Sequence, residues 1–214
     1  MSRPRLVGLV ATETVPADLS RHVIACGAIA AAIRPAPTDA AERDSLNHHA
    51  AVVAWCRRAA FLPSRAGIAI SPELLQSLTQ SAGCHRERLA HIVGRVEISV
   101  DYDRRDGEPR RAAGAGGRAY LRAAADDRAA CELGIATATQ LLSMFTEQLG
   151  ADLMVRCPPL PSIGLRAAVL AKRADAARLA NKVEATLNAI SARLVCRVTG
   201  PWPPYSFSTI EESP

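Results

Sequence analysis

Residues 103–117, Asp-Arg-Arg-Asp-Gly-Glu-Pro-Arg-Arg-Ala-Ala-Gly-Ala-Gly-Gly, constrain the fold more than any other stretch. They carry charge and glycine but no apolar repeat of two or of 3.6, so they offer no face to a core and read as a mobile connector. The chain on either side must then close its own core. The expected division is an N-terminal domain over 1–103, a linker over 104–117, a C-terminal domain over 118–199 and a tail over 200–214. A chain of 214 residues has room for about one or two such domains.

Before the connector, Leu6 to Val10 is an apolar run of strand length. His22 to Cys26 and Ala28 to Ile33 flank Gly27 as a hairpin-like pair of strands. A helix is expected from Thr38 to about Ala60, with acids in its first turn and Leu46, Ala50, Val53 and Ala54 at helical spacing. Ser71-Pro72 reads as an N-cap followed by proline at the first helical position, opening a helix that closes at Gly83; a second short helix runs to Gly94. The clearest strand follows, with Val96, Ile98, Val100 and Tyr102 alternating with Glu97, Ser99 and Asp101.

Beyond the connector, Arg118 to Leu149 reads as one long helix whose second half places Ile135, Ala138, Leu142, Phe145 and Leu149 in a narrow stripe. Asp152 to Cys157 and Ile163 to Lys172 read as strands. Leu179, Val183, Leu187 and Ile190 mark an amphipathic helix, and Leu194, Cys196 and Val198 a last strand. Helix, strand, strand, helix, strand describes an α+β layer with helices over one face of an antiparallel sheet.

Composition narrows the class. Hydrophobic residues make up 49% and charged residues 22%, which suits a packed globular chain, while the 4% aromatic share leaves the core to Ala, Leu, Val and Ile. Arginines are spread along the chain among 21 acids, so the net charge of +5 draws no basic stripe of the kind that tracks nucleic acid. Cys26, Cys56, Cys84, Cys131, Cys157 and Cys196 form no C-x-x-C pair and read as reduced, buried thiols of a cytosolic protein. No run is long enough for a membrane helix, and Met1 to Val10 is too short in its apolar part for a signal peptide.

Several motifs fail on inspection. Asp101-Tyr102-Asp103-Arg104-Arg105-Asp106 begins like a calcium loop but has Arg105, Asp106 and Ala112 where a ligand, a glycine and a glutamate are needed. Gly114 to Gly117 lacks the preceding strand and the Lys-Ser/Thr of a phosphate loop. His48 and His49 are adjacent, about 100° apart on a helix, so one faces the core and the other solvent rather than both holding one metal. Cys84-His85 with Glu87 and His91 lacks the second ligand pair of a structural zinc. No G-x-S-x-G elbow and no opposed carboxylate pair occurs. These residues name no catalytic, cofactor or metal site and no small-molecule substrate.

One stretch remains: Thr199-Gly200-Pro201-Trp202-Pro203-Pro204-Tyr205-Ser206-Phe207 gathers three of the chain's eight aromatic residues among prolines that fix φ before anything binds. It resembles the closing signature of the GvpL/GvpF family of gas vesicle proteins. Phe61-Leu62-Pro63-Ser64-Arg65-Ala66-Gly67-Ile68 is similar to that family's Leu-Pro-x-Arg-Phe-Gly segment, departing at Ala66; Gly94-Arg95-Val96-Glu97 is similar to its Gly-x-x-Glu strand entry, and Gly117-Arg118-Ala119-Tyr120-Leu121 to the start of its long helix.

The resemblance implies two α+β domains, the second ferredoxin-like, and a non-enzymatic accessory protein. Such a protein acts in the cytoplasm on gas vesicles, and binds the small hydrophobic shell subunit and other vesicle proteins. Nucleic acid, membrane and cofactor have no part in that role. The residues expected to carry structure or partner binding are Arg65, Gly67, Trp202, Pro203, Pro204, Tyr205 and Phe207. Two roles are open to the tail: a clasp laying its rings on the protein's own body, with Arg65 as a multi-donor hub, or a peptide that docks into a partner. The runs Ile163 to Lys172 and Leu194 to Val198 are expected to leave a sheet edge open for strand addition. An enzyme of unknown class and a nucleic-acid-binding module are the rival readings.

Overall fold

A computed structural model describes residues 3–36, 41–104, 117–156 and 164–208. The chain forms two compact units, one built from Met1–Val96 with Pro203–Pro214, the other from Glu97–Trp202. It is an α+β protein with one four-stranded sheet in each unit.

In the first unit, β1 (Arg5–Ala11) lies between β3 (Ile29–Arg34) and the two-residue β4 (Leu62–Pro63), with β2 (Val23–Cys26) outside β3. β2 and β3 are the expected hairpin, and Gly27 takes φ 69° at its turn, a conformation that costs side-chain-bearing residues but not glycine. Helices α1 (Ala41–Cys56), α2 (Pro72–Gln80) and α3 (Ala82–Ile92) complete the unit. Ser71 caps α2 as its sequence requires, its hydroxyl accepting the Leu74 N–H at 3.2 Å. Gly83 falls inside α3 instead of closing α2. Val7, Val10, Ala30 and Ala32 pack against Val52, Trp55 and Phe61, and the Trp55 and Phe61 rings stack at 5.5 Å. Gly8 admits that ring: a Cβ there would lie 2.2 Å from the Leu62 carbonyl oxygen and 2.6 Å from Phe61.

The second unit runs β5 (Arg95–Arg104), α4 (Gly117–Leu149), β6 (Asp152–Arg156), β7 (Gly164–Lys172), α5 (Ala176–Ile190) and β8 (Leu194–Trp202), with strand order β6-β7-β5-β8. That element order and strand order are ferredoxin-like. Val96, Ile98, Val100 and Tyr102 are buried along β5, as their alternation demands. Against the sheet α4 buries Cys131, Gly134, Ala138, Leu142 and Phe145, and α5 buries Leu179, Val183 and Leu187. Gly134 takes the inward place expected of Ile135, because the Leu194 methyl lies 2.8 Å from where its Cβ would be.

Three sequence expectations change. The strand expected to end the first domain at residue 103 pairs with β8, so the contact division falls between Val96 and Glu97. Of the expected linker 104–117, Arg104 ends β5 and Gly117 opens α4, and residues 105–116 lie outside the described residues. The last strand runs on to Trp202, which stands opposite Glu97, and the chain from Pro203 onward belongs to the first unit.

The third change concerns the open edge. β7 is an interior strand, flanked by β6 and β5, so Gly164–Lys172 offers no edge; Ile163 lies outside the described residues. β8 does lie at an edge, but its first half is covered. The Leu194 N–H donates to the Ser191 carbonyl at 3.4 Å, and the Asn188 side-chain amide serves both groups of Cys196, accepting its N–H at 2.9 Å and donating to its C=O at 3.3 Å. An amide placed so mimics a neighbouring strand and blocks addition of another. No helix among the described residues is long and apolar enough to cross a membrane.

Candidate partner-binding site

The segment Leu62–Ser64 organises the first unit's polar interior. Ser64 is buried; its N–H donates to the Val7 carbonyl at 3.0 Å, and its hydroxyl lies 3.0 Å from the Leu6 carbonyl and 3.2 Å from that of Arg65. Its own carbonyl is 2.9 Å from His48 Nε2, which fixes the proton on that nitrogen. Burial pushes the His48 imidazole below its ordinary value of 6.5, so the ring is held neutral. One turn earlier on α1, Asp44 forms an ion pair with Arg34 of β3, both side chains largely buried. His48 thus faces inward and His49 outward, the split expected from their adjacency.

The C-terminal segment fastens onto this node. Pro203, Pro204 and Ser208 are buried. The Ser208 hydroxyl lies 3.0 Å from the Pro63 carbonyl and 3.1 Å from that of Tyr205, closing the short turn Tyr205–Phe207. On the outer side, the Tyr205 hydroxyl meets His49 Nδ1 at 2.8 Å with the rings stacked at 5.9 Å. His49 and Leu46 sit three residues apart on α1 and so adjoin. Leu46 is 67% exposed and Tyr205 36%. A strip of leucine, imidazole and phenol therefore faces solvent, held from behind by stiff prolines and a buried serine.

The arrangement is a clasp, but its fastening differs from the expectation. Prolines and Ser208 are buried, whereas Tyr205 is exposed, Phe207 is half-buried, and Trp202 stays 40% exposed on β8 with its indole N–H 3.2 Å from the Thr199 hydroxyl. Arg65 is exposed and its side chain makes no hydrogen bond or ion pair among the described residues, so the hub is its neighbour Ser64. Gly67 serves a turn at φ 92°, its carbonyl accepting from the Arg5 guanidinium at 2.7 Å. Ser64 and Ser208 escaped the sequence reading, and for His48 the only signal was that one of two adjacent histidines must face inward.

Other sequence candidates do not converge. His85 is buried and Cys84 exposed, and no cluster of metal-ligating side chains occurs among the described residues. Asp101 pairs with Arg166 at 3.4 Å, Tyr102 is buried, Asp103 Oδ1 accepts the Arg104 backbone N–H at 2.7 Å and Arg104 pairs with Asp127, while residues 105–112 of the calcium-like run lie outside the described residues. Cys26, Cys131 and Cys196 are buried as expected, and burial pushes the Cys196 thiol up to about 12. Cys84 contradicts that expectation, since it lies on the outward side of α3. Cys157 is outside the described residues.

The family model for "Gas vesicle synthesis protein GvpL/GvpF" matches residues 17–209. The chain belongs to the GvpL/GvpF family. Two solved gas vesicle proteins share its fold at 16% sequence identity and a TM-score of 0.68: GvpF from Anabaena sp. PCC7120, aligned over 99% of this chain and 100% of that one, and GvpF from Microcystis aeruginosa, over 98% and 100%. No curated protein matches the chain by sequence. Both the clasp and the Pro63–Ser64 node lie within the span the GvpL/GvpF model matches.

Proposed function

We propose that this GvpL/GvpF protein is a non-enzymatic accessory factor of gas vesicle assembly, working in the cytoplasm and on the vesicle, that binds the small hydrophobic shell subunit and other vesicle proteins. One observation carries the reading beyond family membership: the solvent-facing strip of Leu46, His49 and Tyr205, in which the fastened Pro203–Ser208 segment stacks its tyrosine on His49. Large apolar groups held outward on a fixed scaffold suit docking, because a rigid surface loses little entropy when it binds. A shell subunit with a water-repelling face aggregates before assembly, and a partner that covers part of that face suppresses the aggregation. Pro203 and Pro204, buried beside Tyr205, and the half-buried Phe207 carry the tyrosine of the strip, while Arg65, Gly67 and Trp202 are further candidate partner-binding positions.

Co-expression with the shell subunit tests this reading. The expected result is a larger fraction of shell subunit in the supernatant after high-speed sedimentation when this chain is present. An unchanged pellet, with the chain itself folded and in excess, removes the proposal.

A further inference from the structure

Two sets of contacts cross one seam in the first unit. The His48 ring of α1 reaches the Ser64 carbonyl at 2.9 Å and ties the helix to the residue after β4. The C-terminal segment spans the same seam, through the residues on either side of that bond. Tyr205 meets His49, the next residue along α1, at 2.8 Å, and Ser208 meets the carbonyl of Pro63, the residue before Ser64, at 3.0 Å. Pro63 and Ser64 share a planar peptide group, whose oxygen faces the Ser208 hydroxyl and whose N–H donates to the Val7 carbonyl at 3.0 Å. A movement that parts His48 from Ser64 therefore displaces both anchor points of the segment.

The ring at the centre of the seam suits one protonation state. His48 is 3% exposed, and with Nε2 donating to Ser64 its Nδ1 is buried with no hydrogen-bond partner among the described residues. Protonated, that nitrogen becomes a charged donor with no acceptor to meet it, the costlier form to bury. The neighbours do not compensate. Arg34 on β3 carries like charge, and Asp44, which favours the charged ring from one turn earlier on α1, is already committed to Arg34. His49 brings no negative charge, Arg5 of β1 turns to the Gly67 carbonyl at 2.7 Å, Arg65 is exposed, and Tyr205 and Ser208 bring neutral hydroxyls. Burial is the largest of the influences that hold the ring below its ordinary value of 6.5.

We propose that protonation of His48 releases the Pro203–Ser208 segment, a proton-operated latch on the Leu46–His49–Tyr205 strip. Linkage sets the direction. The fastened state keeps His48 neutral, whereas the released state opens the seam and lets the ring take a proton; above the ordinary imidazole value the two states bind protons alike, and below it release gains up to about 10-fold per pH unit. Acid then dismantles the strip by taking Tyr205 off His49. That loss of docking rests on the function proposed above, but the latch is read on the chain alone, so the two readings fail separately.

Fluorine NMR on the full chain labelled with fluorotyrosine reads the release, and Tyr205→Phe assigns the Tyr205 signal among the three tyrosines. Between about pH 7.5 and 5 that signal should move toward its position in the unfolded chain, while the indole N–H signal of Trp55, in the core of the same unit, stays in place. The movement should vanish in His48→Gln, which cannot titrate, and keep its midpoint in His49→Gln. By the same linkage the His48 ring, followed by proton NMR, should titrate at higher pH in a chain ending at Trp202 than in the wild type, with Ser208→Ala between them. This second measurement decides the matter if His48→Gln does not fold. A Tyr205 signal that stays still, moves only together with Trp55, or moves equally in His48→Gln overturns the proposal. So does a His48 titration that is the same with and without the segment, or a movement lost in His49→Gln alone, which assigns the effect to the surface imidazole.

Discussion

Shortening and editing the C-terminal segment tests how it is fastened. Three variants grade the contacts: a chain ending at Trp202, Ser208→Ala and Tyr205→Phe. Ser208 is 4% exposed and its hydroxyl lies 3.0 Å from the Pro63 carbonyl, so Ser208→Ala costs a buried hydrogen bond, about 1–2 kcal/mol. Tyr205→Phe removes a hydroxyl at the surface, where water replaces the His49 contact, and costs about 0.5 kcal/mol or less. Ending the chain at Trp202 removes both bonds and the burial of Pro203 and Pro204, on the order of 3–4 kcal/mol after the entropy of ordering an already stiff segment is subtracted. For a unit near 100 residues each kcal/mol lowers Tm by about 4–8 °C. Differential scanning calorimetry should therefore rank the falls as truncation, then Ser208→Ala, then Tyr205→Phe. A truncation without effect, or Tyr205→Phe as damaging as Ser208→Ala, would refute the view that prolines and Ser208 hold the segment while the tyrosine faces outward.

Other predictions follow from burial and edge chemistry. Burial lowers the folded-state imidazole pKa of His48 and His85, so the unfolded chain binds more protons than the folded one below about pH 6.5, and stability should fall as pH drops through that range toward the folded values. Urea titrations at pH 7.5 and 5 should show the loss, and His48→Gln should reduce it. Native alkylation at pH 8 followed by peptide mapping should modify Cys84 and leave Cys26, Cys131 and Cys196 unmodified until the chain unfolds. Asn188→Ala should cost about 1–2 kcal/mol and increase concentration-dependent aggregation, because it bares both backbone groups of Cys196 on the β8 edge; light scattering that does not change would contradict the capping role.

Most elements were legible because each carried a local chemical cause. The Gly27 hairpin, the Ser71 cap, the β5 alternation and the α5 stripe all follow from neighbours within a few residues. What the sequence hid depends on residues far apart. That β7 sits inside its sheet is set by β5 and β6 on either side of it, and the extent of β8 to Trp202 is set by Glu97 across the ladder. The same limit governed the candidate site. Prolines and aromatic rings announced the tail, but which of them would be buried was decided by the Pro63 carbonyl, 145 positions from Ser208. Arg65 drew attention for its five donors, while Ser64 beside it does the joining, its hydroxyl to the Leu6 carbonyl and its own carbonyl to His48.

Affinity for the purified shell subunit, compared between the wild type and the Leu46→Glu, Tyr205→Ala double variant, tests the central claim most directly. Both positions are exposed, so the variant should keep the wild-type Tm within a few degrees while its Kd rises about 10-fold or more. Equal affinity in the two proteins, or no binding by the wild type, would contradict the account.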